Sequence, residues 1–332
     1  MAANDLFKSG ISLIFRPKTL WLPFLFGTIA LLPPFLKLYS SYLLNWCLTY
    51  FIAVMGLNLI LGYAGQVSLA QGAFMGIGAY TVALLTTKAG FSFWLALPLA
   101  TLITFVLGMI LGFPALRVKT HYLAMVTVGF AVIIYQLALH GGNFTGGPYG
   151  IKDIPRPTLW TIHFDSDLAY SYFLIVASLI MTGLMYWILN SRWGKAFKSI
   201  RENEIRAEML GVNLRNYKLV AFAIGSAFAG VAGGLLAPLL GYIDPTTFDV
   251  RLTFDLLLML IIGGTGRFEG PLIGVPLVLL GPELLRIAPM LYSVIFASVA
   301  IFILLFMPKG MVSLWDWGFK RVTGRGAPEL TK

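Results

Sequence analysis

The sequence predicts an all-α polytopic membrane protein with about ten transmembrane helices. Of its 332 residues, 58% are hydrophobic and only 11% are charged, whereas a soluble domain carries roughly 25% charged residues. Long stretches contain no Asp, Glu, Lys or Arg, and a membrane span needs about 20 apolar residues. Buried helices of a soluble protein would show shorter runs with polar faces, so the run lengths argue against that alternative. The charge-free stretches are 38–87, 89–116, 120–151, 168–191, 219–243 and 287–307.

The ends of the predicted helices follow from the Gly, Pro and charged residues that interrupt the apolar runs. The first run, 20–36, follows three basic residues and so resembles a secretory signal. It is long, contains Pro33-Pro34 and lacks a clear cleavage pattern, so we predict that it is retained as a span. Because Gly and Pro cut the region 252–290, nine or eleven helices are also compatible with the sequence. The ten expected helices are 20–36, 42–62, 67–87, 92–113, 121–140, 168–189, 218–240, 252–264, 271–287 and 289–307.

The distribution of Lys and Arg predicts how the helices are oriented, because cytoplasmic loops of membrane proteins are enriched in both. With the N-terminus inside, eighteen of these residues fall in cytoplasmic segments and six on the other side. We therefore expect one transmembrane domain, 1–332, with both termini in the cytoplasm and a cytoplasmic segment at 190–218. The turn-rich segment 141–167 is then periplasmic, either folded over the outer mouth or acting as a simple connector. This distribution explains the net charge of +10 without nucleic acid.

Several kinds of chemistry are missing from the sequence. It has no Walker A pattern, so we expect no ATP hydrolysis by this chain itself. Its single cysteine, Cys47, lies in an apolar run and excludes a disulfide framework. His121, His140 and His163 are far apart and form no metal-binding motif, so neither a metal nor a cofactor is expected. The nearly charge-free spans also argue against an intramembrane enzyme and an ion-coupled carrier, which need ionisable residues at depth.

Three polar residues crowd the start of the third predicted helix. Gln66, Ser68 and Gln71 lie among glycines, and a spacing of three places Ser68 and Gln71 on one helical face. Amide and hydroxyl groups in a bundle either hold helices together or line a wet path. Both interpretations are open at this point, and we take the three residues as candidates for a translocation path or its gate.

Glycine spacing predicts both close packing and an internal repeat. Pairs of glycines four residues apart let helix backbones approach closely in lipid. Two apolar runs are broken by glycines, at 62–80 and at 263–274, one in each half of the chain. Paired interruptions of this kind are typical of inverted-repeat transporters, here with five helices in each half. The glycine pairs are Gly72 and Gly76, Gly108 and Gly112, Gly230 and Gly234, and Gly270 and Gly274.

The most charged stretch of the chain has the signals of a short helix. Ser199 and Glu202 match the capping-box pattern that begins a helix. Gly211 stands where a helix often ends, and Asn213 can begin the next one. We therefore predict an amphipathic helix of about three turns on the cytoplasmic side.

The composition of this predicted helix favours a protein partner over a lipid surface. Basic residues at 192, 195 and 198 suit anionic headgroups, but acids would be repelled by the same surface. Mixed charge beside an apolar stripe suits a protein groove better. The stripe is Ile205, Met209 and Leu210, and the charged residues are Glu202, Glu204, Arg206 and Glu208, with Glu202 and Arg206 one turn apart.

Four blocks of the sequence resemble the permease subunits of branched-chain amino-acid ABC importers, of the LivM type. The blocks are NLILGYAGQVSLAQGAFMGIGAYT (58–81), TGGPYGI (145–151), IRENEIRAEMLGVNLRNYKLVAFAIGSAFAGVAGGLLA (200–237) and GGTGRFEGPLIG (263–274). They occur in the order and spacing of that family. The chain departs from the family pattern at Ala70-Gln71 and at Arg267-Phe268-Glu269, which leaves open the urea and short amides that related permeases carry.

The resemblance implies a subunit that imports branched-chain or related amino acids across the bacterial inner membrane by alternating access. It implies a heterodimer with a homologous LivH-type permease, two cytoplasmic ATPase subunits and a periplasmic substrate-binding protein. Membrane lipid surrounds the permease itself, and no nucleic acid is involved. It also implies that the segment around 199–217 is the coupling helix, with Glu202, Glu204, Arg206, Glu208 and Gly211 as coupling residues.

Overall fold

Helices make up nearly all of the part of the chain that the computed structural model describes, which is residues 31–115, 120–159, 162–164, 166–284 and 311. Five of these helices are long and apolar enough to cross a membrane. A two-stranded antiparallel ribbon, β1 (Thr158–Leu159) and β2 (Ile162–His163), lies between the fourth and fifth helices. The helices are α1 (Leu38–Leu57, continued by a π-helical turn, Asn58–Tyr63), α2 (Gln71–Thr87), α3 (Phe93–Ala115), α4 (Thr120–His140), α5 (Asp167–Asn190), α6 (Arg192–Glu202), α7 (Glu204–Met209), α8 (Leu214–Leu240), α9 (Val250–Gly263) and α10 (Gly270–Leu284), with single turns at Pro33–Phe35, Gly142–Thr145, Gly147–Tyr149 and Pro245–Phe248.

Eight of the ten predicted helices are present as helices, α1 to α5 and α8 to α10, and the five long enough to cross a membrane are α1, α3, α4, α5 and α8. The predicted helix 289–307 and most of the predicted helix 20–36 lie outside the described residues. The success has a simple cause, because a helix that faces lipid must be apolar over its whole length and shows its ends as breaks in hydropathy.

The centre of the bundle is α8, which packs most extensively against α1, α2 and α3. Glycines make this packing possible, as the spacing predicts. A methyl group on Gly78 would overlap the backbone of Gly230, and one on Gly230 would overlap the side chain of Thr104. In contrast, α3 and α4 leave large apolar side chains exposed along much of their length, which suits helices that face lipid.

One test of this packing uses a matched pair of glycines. Gly233 of α8 lies against the Met75 carbonyl, so Gly233→Ala would force the two helices apart, whereas Gly183 of α5 has no atom within 4 Å of an added methyl group. We expect Gly233→Ala to lower the free energy of unfolding by about 1–3 kcal/mol and Gly183→Ala to raise it by up to about 1 kcal/mol, since alanine is the better helix former. Thermal unfolding of the two purified variants in detergent measures this, and equal midpoints would show that the contact is unimportant.

The connections between helices gather at two opposite ends of the bundle. At one end, here the loop end, Lys88 donates to the carbonyl of Phe144 at 2.8 Å and Ile151 pairs with Ile243 as an antiparallel bridge. At the other, here the α6–α7 end, Asn58 donates to the carbonyl of Arg267 at 2.7 Å. Connections predicted to share a side of the membrane therefore do lie together.

The segment 141–167 is held against the bundle at the loop end. Trp94 of α3 donates to the carbonyl of Thr158 at 2.8 Å, and Arg156 forms a 2.6 Å ion pair with Asp167 at the start of α5. These contacts favour the folded alternative over a simple connector.

Candidate functional site

The helix α2 begins in the interior of the bundle. After the π-helical turn, residues 64–70 run back without regular structure. Gln71, the first residue of α2, donates to the carbonyls of Ala53 and Gly225 at 2.9 and 3.2 Å. Ala53 precedes the end of the π-helical turn by ten residues, and Gly225 follows the start of α8 by eleven. At a rise of about 1.5 Å per residue, both place this point about 15 Å from the α6–α7 end, well inside a hydrocarbon core of about 30 Å.

A second helix begins at the same depth. The Gly72 amide of α2 donates to the hydroxyl of Thr253 in the first turn of α9 at 3.0 Å. The helix α2 runs towards the loop end, whereas α9 runs towards the α6–α7 end. Two half-helices therefore start side by side at mid-depth and run in opposite directions.

The two half-helices follow the same local pattern in the sequence. Each link opens with Leu-Gly-Tyr, at 61–63 and at 240–242, and each half-helix begins ten residues after that leucine. The counterpart of the segment 62–80 is thus the link before α9. The segment 263–274, which the glycine pattern pairs with 62–80, instead forms the turn between α9 and α10 and the start of α10.

Side chains satisfy the free amides around the two starts, from other helices at α2 and from its own N-cap residue at α9. The Leu69 amide donates to the hydroxyl of Thr127 in α4 at 3.0 Å, and the Leu252 amide donates to Asp249, the N-cap of α9, at 3.2 Å. Non-helical backbone is tolerated at this depth only where protein surrounds it or a polar cavity borders it. The amino ends of both half-helices also bring partial positive charge to the middle of the bundle.

The three predicted path residues lie along the link from the π-helical turn to α2 and are all buried, but they differ in role. Gln71 joins α2 to α1 and α8, and the Ser68 hydroxyl accepts from the Ala70 amide at 3.4 Å. Neither the nitrogen nor the oxygen of the Gln66 side-chain amide has a hydrogen-bond partner within the described part of the chain. The prediction that Ser68 and Gln71 share a helical face is wrong, because Ser68 precedes the helix and α2 begins only at Gln71. The backbone amides on either side of this start, those of Leu69 and Gly72, donate to Thr127 and Thr253.

Charged residues at mid-depth are the part of the site that the sequence analysis missed. Asp249, Arg251 and Asp255 lie in the first turns of α9, next to the start of α2. Asp255 is therefore a charge within the predicted helix 252–264, and Arg251 belongs to the first turn of α9 instead of the connection before it. The signal was available, since Asp255 falls inside the predicted helix 252–264 and an ionisable residue in a span indicates function.

At the α6–α7 end, two helices replace the single predicted one. The helix α6 begins after Ser191, whose hydroxyl accepts from the Trp193 amide at 3.1 Å. Asn203 interrupts the chain and caps α7 by accepting from the Arg206 amide at 3.0 Å. The predicted capping box is wrong, because Ser199 lies inside α6 and its hydroxyl donates to the Ala196 carbonyl. Asn203 is the N-cap because its side-chain oxygen accepts a hydrogen bond from a backbone amide, whereas the Ser199 hydroxyl donates its own to a carbonyl.

The predicted end of the segment is confirmed. Gly211 follows α7 with a φ of 82°, a left-handed conformation that favours glycine. Asn213 then caps α8 by accepting from the Asn216 amide at 3.2 Å.

The helix α7 presents an apolar surface away from the bundle. Ile205, Met209 and Leu210 are 71%, 76% and 80% exposed. The break at Asn203 separates Glu202 from Arg206, so they do not share one helix as predicted. Glu204 instead forms a 2.7 Å ion pair with Lys218 of α8, which ties α7 to the central helix.

One arginine connects α6 to the end of the π-helical turn and to the turn between α9 and α10. The Arg201 guanidinium donates to the carbonyl of Gly62 at the end of the π-helical turn. It also lies against Gly266, where an added side chain would overlap it. Asn58 joins the same two segments, accepting from the Gly266 amide at 2.8 Å and donating to the Arg267 carbonyl. A displacement of α6 therefore acts directly on both segments.

Comparison with known proteins adds a family to this geometry. A family model described as the branched-chain amino acid transport system permease component matches residues 39–307. The permease protein LivM of Escherichia coli is 33% identical over 288 residues, which cover 80% of this chain and 68% of the relative. The permease protein LivH of the same organism is 25% identical over 289 residues, covering 80% of this chain and 91% of the relative. No solved structure matches the chain.

Proposed function

The chain belongs to the family of branched-chain amino acid transport permease components, and we propose that it moves such amino acids, or related ones, into the cell by alternating access. It is a transport subunit and not an enzyme, so separate ATPase subunits energise it. The observation that carries the mechanism is the meeting of α2 and α9 at mid-depth. Half-helices that begin near the membrane midplane form the substrate sites of many transporters.

We further propose ten transmembrane helices arranged as an inverted repeat, with both termini in the cytoplasm. The matching Leu-Gly-Tyr links and the opposite directions of α2 and α9 support the repeat. The excess of Lys and Arg in the segments of the α6–α7 end supports a cytoplasmic location for that end. In this arrangement Gln66, Ser68 and Gln71 border the path, and the unpartnered Gln66 amide is the best candidate for a gate residue.

Coupling to ATP hydrolysis is proposed to run through α7 and α6. The exposed apolar residues of α7 suit a groove on an ATPase subunit, and the coupling residues Glu202, Glu204, Arg206 and Glu208 surround them. Gly211 allows the sharp turn towards α8. The ion pair to Lys218 and the contacts of Arg201 would carry a displacement of this region to α8, to the start of the link before α2 and to the turn between α9 and α10.

The proposed assembly is a heterodimer with a LivH-type permease, together with two ATPase subunits and a periplasmic substrate-binding protein, in the bacterial inner membrane. Similarity to both LivM and LivH supports a pair of homologous permease subunits. The alternative solutes are urea and short amides, and the alternative mechanism is an ion-coupled carrier.

Transport in a reconstituted system tests these proposals. Liposomes that hold the complete complex and internal ATP would receive labelled leucine and the binding protein from outside. We expect leucine uptake that requires hydrolysable ATP. Uptake driven by a proton gradient without ATP would contradict the ATP-driven mechanism, and uptake of urea or acetamide in place of leucine would contradict the amino-acid substrate.

A further inference from the structure

We propose that Arg251 and Asp255 of α9 bind the two charges of a zwitterionic amino acid halfway across the membrane, with Phe254 against its apolar side chain. This inference rests on the proposed transport function and names the chemistry by which the path recognises its solute.

The depth of the pair is set by two neighbouring helices. Asp255 lies close enough to Tyr50 of α1 for the two side chains to interact electrostatically. Tyr50 is twelve residues from the start of α1 and thirteen from the end of its π-helical turn. Thr253, between the two charged residues, binds Gly72 at the start of α2. Both contacts place the pair near the middle of the bundle.

The three side chains share one face of α9 and turn away from the core of this chain. Arg251, Phe254 and Asp255 are all exposed, whereas Leu252 and Leu256 of the same helix are buried. Within the described residues neither Arg251 nor Asp255 forms an ion pair of 4 Å or less. Their spacing of four residues places their β-carbons about 6 Å apart.

Such a face is unsuited to lipid. Ionisable side chains inside a membrane almost always face the interior of a bundle or a water-filled pathway. Arg preceding Asp by one turn is also the less favourable order for a pair within one helix. The two side chains are close enough to interact electrostatically but form no direct ion pair, so both keep hydrogen-bonding capacity for a ligand on the path.

The chemistry of the face selects one class of solute. An α-amino acid carries a carboxylate and an ammonium group on the same carbon atom, so one molecule can meet the guanidinium and the carboxylate together. A neutral amide or urea offers no opposite charge to either side chain, so it would displace water from both without an ionic contact in return, which opposes binding at this depth. Phe254, 52% exposed, offers the apolar contact that a branched side chain needs.

Charge-neutralising variants in the reconstituted complex test the inference. We expect Arg251→Gln and Asp255→Asn each to lower leucine uptake about tenfold or more, through the loss of one charge-assisted contact. ATP hydrolysis stimulated by the binding protein should stay within about twofold of the unaltered complex, since neither residue lies in α6 or α7. The matched control is Asp153→Asn, an exposed carboxylate at the loop end whose positive φ of 56° Asn also tolerates.

A charge exchange separates recognition from structure. In the double variant Arg251→Asp with Asp255→Arg both charges persist, so we expect uptake to recover severalfold over either single charge reversal. Unchanged uptake in Arg251→Gln and Asp255→Asn would overturn the inference. So would loss of the second permease subunit from the purified variants, because the face would then be a subunit contact. Absence of ATP-driven leucine uptake in the unaltered complex would instead contradict the proposed function itself.

Discussion

Met209→Glu combined with Leu210→Glu is expected to abolish ATP-driven uptake. Both side chains are more than three-quarters exposed on α7 and make up most of its apolar surface. Burying an apolar anchor in a partner's pocket contributes about 2 kcal/mol or more to binding, and a carboxylate in the same pocket would add a desolvation cost. The ATPase subunits should no longer copurify with the permease, and uptake by the reconstituted liposomes should fall to background.

The conservative variant Met209→Leu is the control, since it keeps an apolar side chain of similar volume on the same helix. It should retain both copurification and uptake. If the double Glu variant transports leucine at the rate of the unaltered complex, then α7 is not the docking surface for the ATPase.

Arg201→Ala is expected to separate ATP hydrolysis from transport. The variant removes the contact from α6 to the Gly62 carbonyl and the packing against Gly266, and leaves α7 and its apolar surface intact. A hydrogen bond from a charged donor contributes about 1.5–3 kcal/mol, which corresponds to a fall in uptake of about tenfold or more. ATPase binding and hydrolysis should change little, so the number of leucine molecules moved per ATP should fall.

Lys195→Ala serves as the control for Arg201→Ala, because Lys195 lies on the exposed side of the same helix. Arg201→Lys keeps the charge but not the planar donor, and should recover part of the transport. Equal losses of hydrolysis and transport in Arg201→Ala would show that the residue supports folding or docking and not the link between α6 and the interior.

Much of the fold was predictable because a membrane helix can be recognised from the hydropathy of consecutive residues. The apolar runs, the Gly and Pro breaks and the Lys and Arg distribution located eight helices and grouped their connections correctly. The polar residues Gln66, Ser68 and Gln71, singled out as path candidates, are all buried, and their role in a path stays a prediction. Their roles were not predictable, because Gln71 owes its role to carbonyls on α1 and α8, which lie 18 and 154 residues away in sequence.

Short-range signals failed where two of them competed. Ser199 and Asn203 both offer a helix start, and only the burial of Phe197 and Ile200 shows that α6 continues through Ser199. Asp255 was overlooked because its helix is otherwise apolar, and hydropathy averaged over a span hides a single charge.

The sequence by itself determined the class of protein, the positions of most spans and the presence of a polar segment suited to a partner, since each depends on residues that are neighbours in the chain. Only the tertiary structure decided that α2 and α9 begin together at mid-depth. The free amides at the start of α2 find partners on distant helices, at Thr127 for Leu69 and at Thr253 for Gly72. That meeting also brings Arg251 and Asp255 to the level of the start of α2, about halfway along the bundle.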